Sequence, residues 1–205
     1  LKVEFFLSLM AGTLASELSH QSRDAEEAFL GALFRNLGRL LVAFYLPEDA
    51  EQIRALTTVS DEQPEPLSDA QASAKVLGVS HEQLAGHIGQ SWGLPDGLLA
   101  CMRSPEGRVP TRSLAARPER LWWLASMANE VAQTMLDTEP VKLGDALTKL
   151  ARTYATSLDL TSDDVSQAAA RARKRLTELT QALNLNVPAQ SPGERLLDTF
   201  YVDAP

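Results

Sequence analysis

Few side chains in this 205-residue sequence combine a reactive type with a setting that chemistry could use. The most conspicuous are Arg35 and Asn36, adjacent polar residues inside the apolar run Ala28-Phe29-Leu30-Gly31-Ala32-Leu33-Phe34-Arg35-Asn36-Leu37-Gly38-Arg39-Leu40-Leu41. Burying such a pair costs free energy unless it is hydrogen-bonded or open to a site. It therefore marks either a site or a tie between helices. His20, His81 and His87 are the natural metal donors, but His81 and His87 stand six apart, a step that puts them on different faces of a helix. No carboxylate pair accompanies them at ligand spacing. A zinc site built from all three is an open alternative to capping, core or surface roles. Gly89-Gln90-Ser91-Trp92-Gly93 offers its serine at a helix end with no strand before it, which is the wrong setting for a serine nucleophile. Cys101, among Leu98, Leu99 and Met102, reads as a packed thiol. On these grounds we expect no catalytic residue, no metal ligand and no cofactor.

The elements that must position these residues are helices. Leu (33) and Ala (28) dominate the apolar residues, while Ile and Val together number 13, a balance that favours helix over strand. Val3, Leu7, Met10, Leu14 and Leu18 fall on one face of a helix running to about His20. Ser22 or Asp24 can cap a second helix, whose face Phe29, Leu33, Leu37, Leu40, Leu41 and Phe44 continue. Pro47 suits the first turn of a third, through about Leu56, before a polar loop from Thr57 to Pro66. Ser68 with Gln71, and Ser80 with Gln83, are capping-box patterns, with Gly78 and Gly93 as stops. Pro95 opens a short helix to about Met102. Residues 103 to 118 read as a linker or surface loop. Beyond them lie longer helices: Leu121 to Met135, then Leu143 to Leu158, then a seam from Val165 through Ala169, Ala172, Leu176 and Leu179 to Leu183. The last residues, with Pro188, Pro192 and Pro205, read as a weakly ordered tail. The expected organisation is 1–105, a helical region; 106–187, a helical extension; and 188–205, the tail.

Charge and length exclude several functions. The 19 basic and 27 acidic side chains leave −8, which argues against nonspecific duplex binding; we expect no nucleic-acid partner. No apolar stretch reaches the roughly 18 residues of a membrane span. The first fifteen residues mimic a secretory signal, but Glu4 and the unbroken helical period argue for an ordinary helix. One cysteine excludes an internal disulfide and an all-cysteine zinc site and suits the cytoplasm. Residues 1 to 100 hold 6 basic and 14 acidic groups and residues 101 to 205 hold 13 of each, so the two halves attract one another. The chain opens on Leu1 without an initiator Met, so we expect it to be a piece of something longer.

Two blocks resemble a known family. The first is the Ala28 to Leu41 run; the second is Leu77-Gly78-Val79-Ser80-His81-Glu82-Gln83-Leu84-Ala85-Gly86-His87-Ile88, followed by Trp92-Gly93-Leu94-Pro95. Their order and spacing resemble the HDOD domain, a helical branch related to HD-type phosphohydrolases and generally considered noncatalytic. The resemblance covers about residues 5 to 105, and it implies N-terminal helices that this chain does not contain. In HD enzymes a His-Asp pair before an apolar residue and Gly binds the catalytic metal; Arg35 and Asn36 stand at that position. A guanidinium has no lone pair to give and repels a cation, and a neutral amide carries no charge to hold one. The fold this implies is an all-α HDOD/HD-like multi-helix domain with a C-terminal helical extension.

The function implied is a noncatalytic bacterial signal-transduction module, cytoplasmic, that relays regulation through contacts with other domains or signalling proteins. Two alternatives stay open. One is a metal-dependent phosphohydrolase acting on a nucleotide or phosphoester through His20, His81 or His87. The other is a structural dimerisation element using the Val165 to Leu183 seam, which would make a homodimer. Trp122 and Trp123 diverge by about 100° on a helix, so one must meet another helix or chain. Arg171, Arg173, Lys174 and Arg175 form the one dense basic cluster, a solvated face or a contact for an acidic partner such as the first half itself.

Overall fold

The computed structural model describes residues 2–19, 22–59, 64–182, 184 and 192–197. Among them the chain is all helix, with no strand: α1 (Lys2–Glu17), α2 (Ser22–Phe34), α3 (Leu37–Tyr45), α4 (Pro47–Thr57), α5 (Asp69–Leu77), α6 (His81–Ser91), α7 (Asp96–Cys101), α8 (Arg117–Asp137), α9 (Pro140–Leu158) and α10 (Ser162–Ala182), then a 3-10 turn at Pro192–Leu196. Both expected capping boxes form. The Ser68 and Ser80 hydroxyls accept from the Gln71 and Gln83 amides while each glutamine returns to the cap, and Gly78 closes α5 at φ 78°.

One expectation is corrected at the informative place. The apolar face from Phe29 to Phe44 predicts a single helix, but the chain breaks into α2 and α3 at Arg35-Asn36, with the two axes bent by 46°. The last turn of α2 tightens as the Asn36 N–H bonds to the Leu33 carbonyl, three residues back. At Gly38 a β-carbon would run into the His81 carbonyl, so glycine lets α3 cross the start of α6 backbone to backbone. Periodicity continues through this bend, which is why the sequence alone does not reveal it.

The principal core spans the chain. Phe6, Met10 and Leu14 of α1 pack with Met127, Val131 and Met135 of α8, with Tyr154 and Leu158 of α9, and with Leu176 of α10. The boundary at 105/106 thus separates stretches of sequence but not cores. Smaller clusters around Leu37, Ala85 and Met102, and around Val42, Ile53 and Ala72, hold α3 to α7 together. Val165, Ala169, Ala172 and Leu176 are buried inside the chain, so most of the seam read as a dimerisation face is already used; Leu183 lies outside the described residues. Only residues 192–197 of the stretch read as a tail are described. The Pro192–Leu196 turn packs on α1 and α8 with Leu196 fully buried, while Pro188 and Pro205 lie outside the described residues.

Opposite charges join the halves. Arg117 donates to Asp24 Oδ1 at 2.7 Å and also pairs with Glu27, and Arg171 and Arg175 bracket Glu17 at 2.7 and 2.8 Å. The basic cluster therefore serves, in part, as an internal clamp between α10 and α1. Solvent screens exposed pairs of this kind, so they set the register of helices that apolar burial has already joined.

Candidate functional site

The bend between α2 and α3 opens onto a polar cleft of about 240 Å³. Arg35, Asn36 and Arg39 line it from the bend and α3, Asp69 from the start of α5, and His81 and Glu82 from the start of α6. The opposite wall is α8, which contributes Ser126, Asn129, Glu130 and Gln133. These four stand at i, i+3, i+4 and i+7, so one face of the helix presents them together.

Asn36 is buried, and its Nδ2 donates across the cleft to Asn129 Oδ1 at 2.5 Å. Asn129 Nδ2 in turn donates to the Ala32 carbonyl at 3.0 Å and the Ala125 carbonyl at 2.8 Å. The amide pair thus ties α8 to the end of α2, satisfying a carbonyl that the break in the helix leaves without its usual partner. Arg35 turns the other way. Its Nη1 donates to the Arg103 carbonyl at 2.8 Å and approaches the Cys101 carbonyl at 3.4 Å, holding the residues that follow α7. Burial lowers the pKa of its guanidinium from the usual arginine value, opposed by the fields of Glu82, Tyr154 and Glu130.

On the far side a second polar set forms. Asp69 accepts from Arg39 Nε at 3.1 Å, and both its oxygens lie 3.1 Å from His81 Nδ1. Burial alone would raise the Asp69 carboxyl, but the His81 hydrogen bond and the Arg39 charge hold it below the ordinary value of 3.8. Among the described residues, His81 Nε2 is buried with no hydrogen-bond partner. Glu130 accepts from the Tyr154 hydroxyl at 2.6 Å, and burial followed by that bond pushes the phenol pKa upward, so Tyr154 stays a donor. Glu82 accepts from the Ser104 amide at 2.9 Å.

A divalent ion does not suit this donor set. The two positions at the bend are a guanidinium, which has no lone pair to give, and a neutral amide, and the Asn129 oxygen facing them already accepts from Asn36. Among the described residues no group of three or more His, Cys, Asp or Glu side chains is placed to hold a metal. The two described histidines do not converge, since His81 lines the cleft and His87 is exposed on α6; His20 lies outside the described residues. Ser91 spends its hydroxyl on the Ile88 carbonyl at 2.8 Å. Cys101 is buried beside Gly31, and burial, then the Glu27 charge, pushes its thiol up to about 11, away from reactivity.

The two tryptophans diverge as helical geometry requires. Trp123 is in the core with its ring 6.3 Å from Tyr154, while Trp122 is partly buried and donates Nε1 to the Arg103 carbonyl at 2.7 Å. Sequence reasoning reached Arg35, Asn36 and His81. It missed Asn129, Asp69, Arg39 and Glu130, although the polar stripe from Ser126 to Gln133 was a signal within reach. A family model described as HDOD domain matches residues 4–106. No curated protein and no solved structure matches the chain.

Proposed function

The chain belongs to the HDOD domain family, and from that membership we propose that it is a noncatalytic signal-transduction module, bacterial and cytoplasmic, that relays regulation through contacts with other domains or signalling proteins. The observation that carries the reading is the engagement of Arg35 and Asn36. Arg35 Nη1 donates to the segment after α7 and Asn36 Nδ2 donates to α8, and neither a guanidinium nor a neutral amide supplies the charge that would hold a catalytic ion. Residues so used turn a reaction centre into a joint between helices, and joints are what a module needs to pass on a rearrangement.

The phosphohydrolase alternative draws on one observation: His81, Asp69, Glu82 and Glu130 all line the same cleft. Metal analysis of the purified chain, with hydrolysis assays on nucleotides, cyclic dinucleotides and a phosphomonoester in Mg²⁺, Mn²⁺ and Fe²⁺, decides between the two. We expect substoichiometric metal and no turnover above the blank. Stoichiometric metal, with turnover lost in His81→Ala, would overturn the proposal.

A further inference from the structure

α3 and α6 cross at Gly38 and His81, and beyond the crossing they diverge around a second recess of about 380 Å³ that is unlike the first. Its lining is Leu41, Val42, Tyr45 and Leu46 from α3 and its end, and Leu84, Ile88, Ser91 and Trp92 from α6 and its cap. Ser91 is the one polar residue among the eight, and its hydroxyl is already bonded to the Ile88 carbonyl. Val42 forms a buried floor, while Tyr45 is 70% and Trp92 57% exposed at the rim. Beside them Phe44, 61% exposed, meets the Tyr45 ring edge to face, with centroids 4.8 Å apart. Large aromatics left outside around an apolar floor mark a contact surface.

Charge identifies the occupant. Among the described residues, positions 37 to 101 carry three basic and seven acidic side chains. Two of those bases are engaged, Arg39 with Asp69 and Arg54 with Glu51. Immediately past Leu46 the surface continues into a recess lined by Ala43, Pro47 and Ala50 together with Glu48, Glu51 and Arg54, which pairs with Glu51. A second copy docking through the same face would set two acidic surfaces together, which costs affinity, and an anionic bilayer would be repelled for the same reason. The α6 wall is 11 residues long, roughly 16 Å, or three helical turns.

We propose that the α3–α6 groove is the docking site for an amphipathic helix of a partner protein, its apolar side chains at i, i+3 or i+4 and i+7 seated between Tyr45 and Trp92 and its flanks basic. This rests on the reading of the chain as an interaction module and names the class of partner.

The probe is a fluorescein-labelled peptide of about 16 residues, built from Leu and Lys so that Leu forms one helical face. One control has the same composition scrambled so that no apolar face exists; another carries Glu for Lys. Anisotropy titrations use the full chain at near-physiological salt, where unspecific attraction is screened. The expected result is saturable binding at least about tenfold tighter than either control. The double variant Tyr45→Ser, Trp92→Ser should weaken it about tenfold or more, with unchanged far-UV circular dichroism, since both side chains are more than half exposed. Equal binding of the controls, or an unaffected double variant, would overturn the proposal. So would self-association in sedimentation that the double variant abolishes, because the groove would then hold a second copy. Failure here leaves the noncatalytic reading standing, and turnover in the hydrolysis assays would overturn that reading whatever the peptide does.

Discussion

Arg35 and Trp122 donate to the same acceptor. The guanidinium Nη1 lies 2.8 Å and the indole Nε1 2.7 Å from the main-chain carbonyl oxygen of Arg103. One peptide group therefore joins the α2–α3 bend to α8 through the segment that leaves α7. Arg35→Met keeps much of the apolar stem and removes the donor, so we expect a loss of about 1 to 2 kcal/mol in urea unfolding. Trp122 reports the change independently. Its emission should shift in Arg35→Met, and that shift should vanish when the substitution is made in a Trp122→Phe background. A variant with wild-type emission and midpoint would show that the shared carbonyl does not couple the two helices.

The amide pair is a separate tie and calls for a different experiment. Asn36→Ala leaves the Asn129 oxygen without its donor, and Asn129→Ala strands both the Asn36 amide and the Ala32 carbonyl. Each should cost about 1 to 3 kcal/mol, as expected when a buried polar group loses its partner. Because they share a bond, the double variant should be less destabilised than the sum, by about 1 kcal/mol in a double-mutant cycle. Strict additivity would mean the amides act independently.

Acid should loosen the other side of the cleft. Asp69 titrates lower in the fold than its ordinary value of 3.8, so the unfolded chain takes up this proton first as pH falls. Its contribution to stability is complete above that value and is lost as pH drops through the lower, folded one. Thermal midpoints measured from pH 6 to pH 3 should fall in the acid range for the wild type and fall less for Asp69→Asn. Parallel profiles for the two proteins would remove Asp69 from the account.

Much of the fold is legible in the sequence because its signals are local. The Ser68–Gln71 and Ser80–Gln83 boxes, Gly78 in its left-handed turn and the helices opened at Pro47 and Pro95 each depend on residues within one turn of one another. The spacing that groups Val165, Ala169, Ala172 and Leu176 fixes which face is buried, but does not say whether the burying partner is the same chain. What stayed hidden is long-range. Asn36 meets Asn129 across 93 positions and Arg35 meets Arg103 across 68, and no periodicity encodes either pairing. The bend at Arg35-Asn36 escaped for a related reason. Gly38 admits the His81 backbone beside it, a contact that no local pattern announces.

That absent β-carbon at Gly38 has a mechanical result. α3 carries Arg39 toward the charged hollow and Leu41 and Val42 toward the greasy one, while α6 does the same with His81 and Glu82 on one hand and Leu84 and Ile88 on the other. With the two rods touching main chain to main chain at their intersection, a single crossing forms the partition between both hollows.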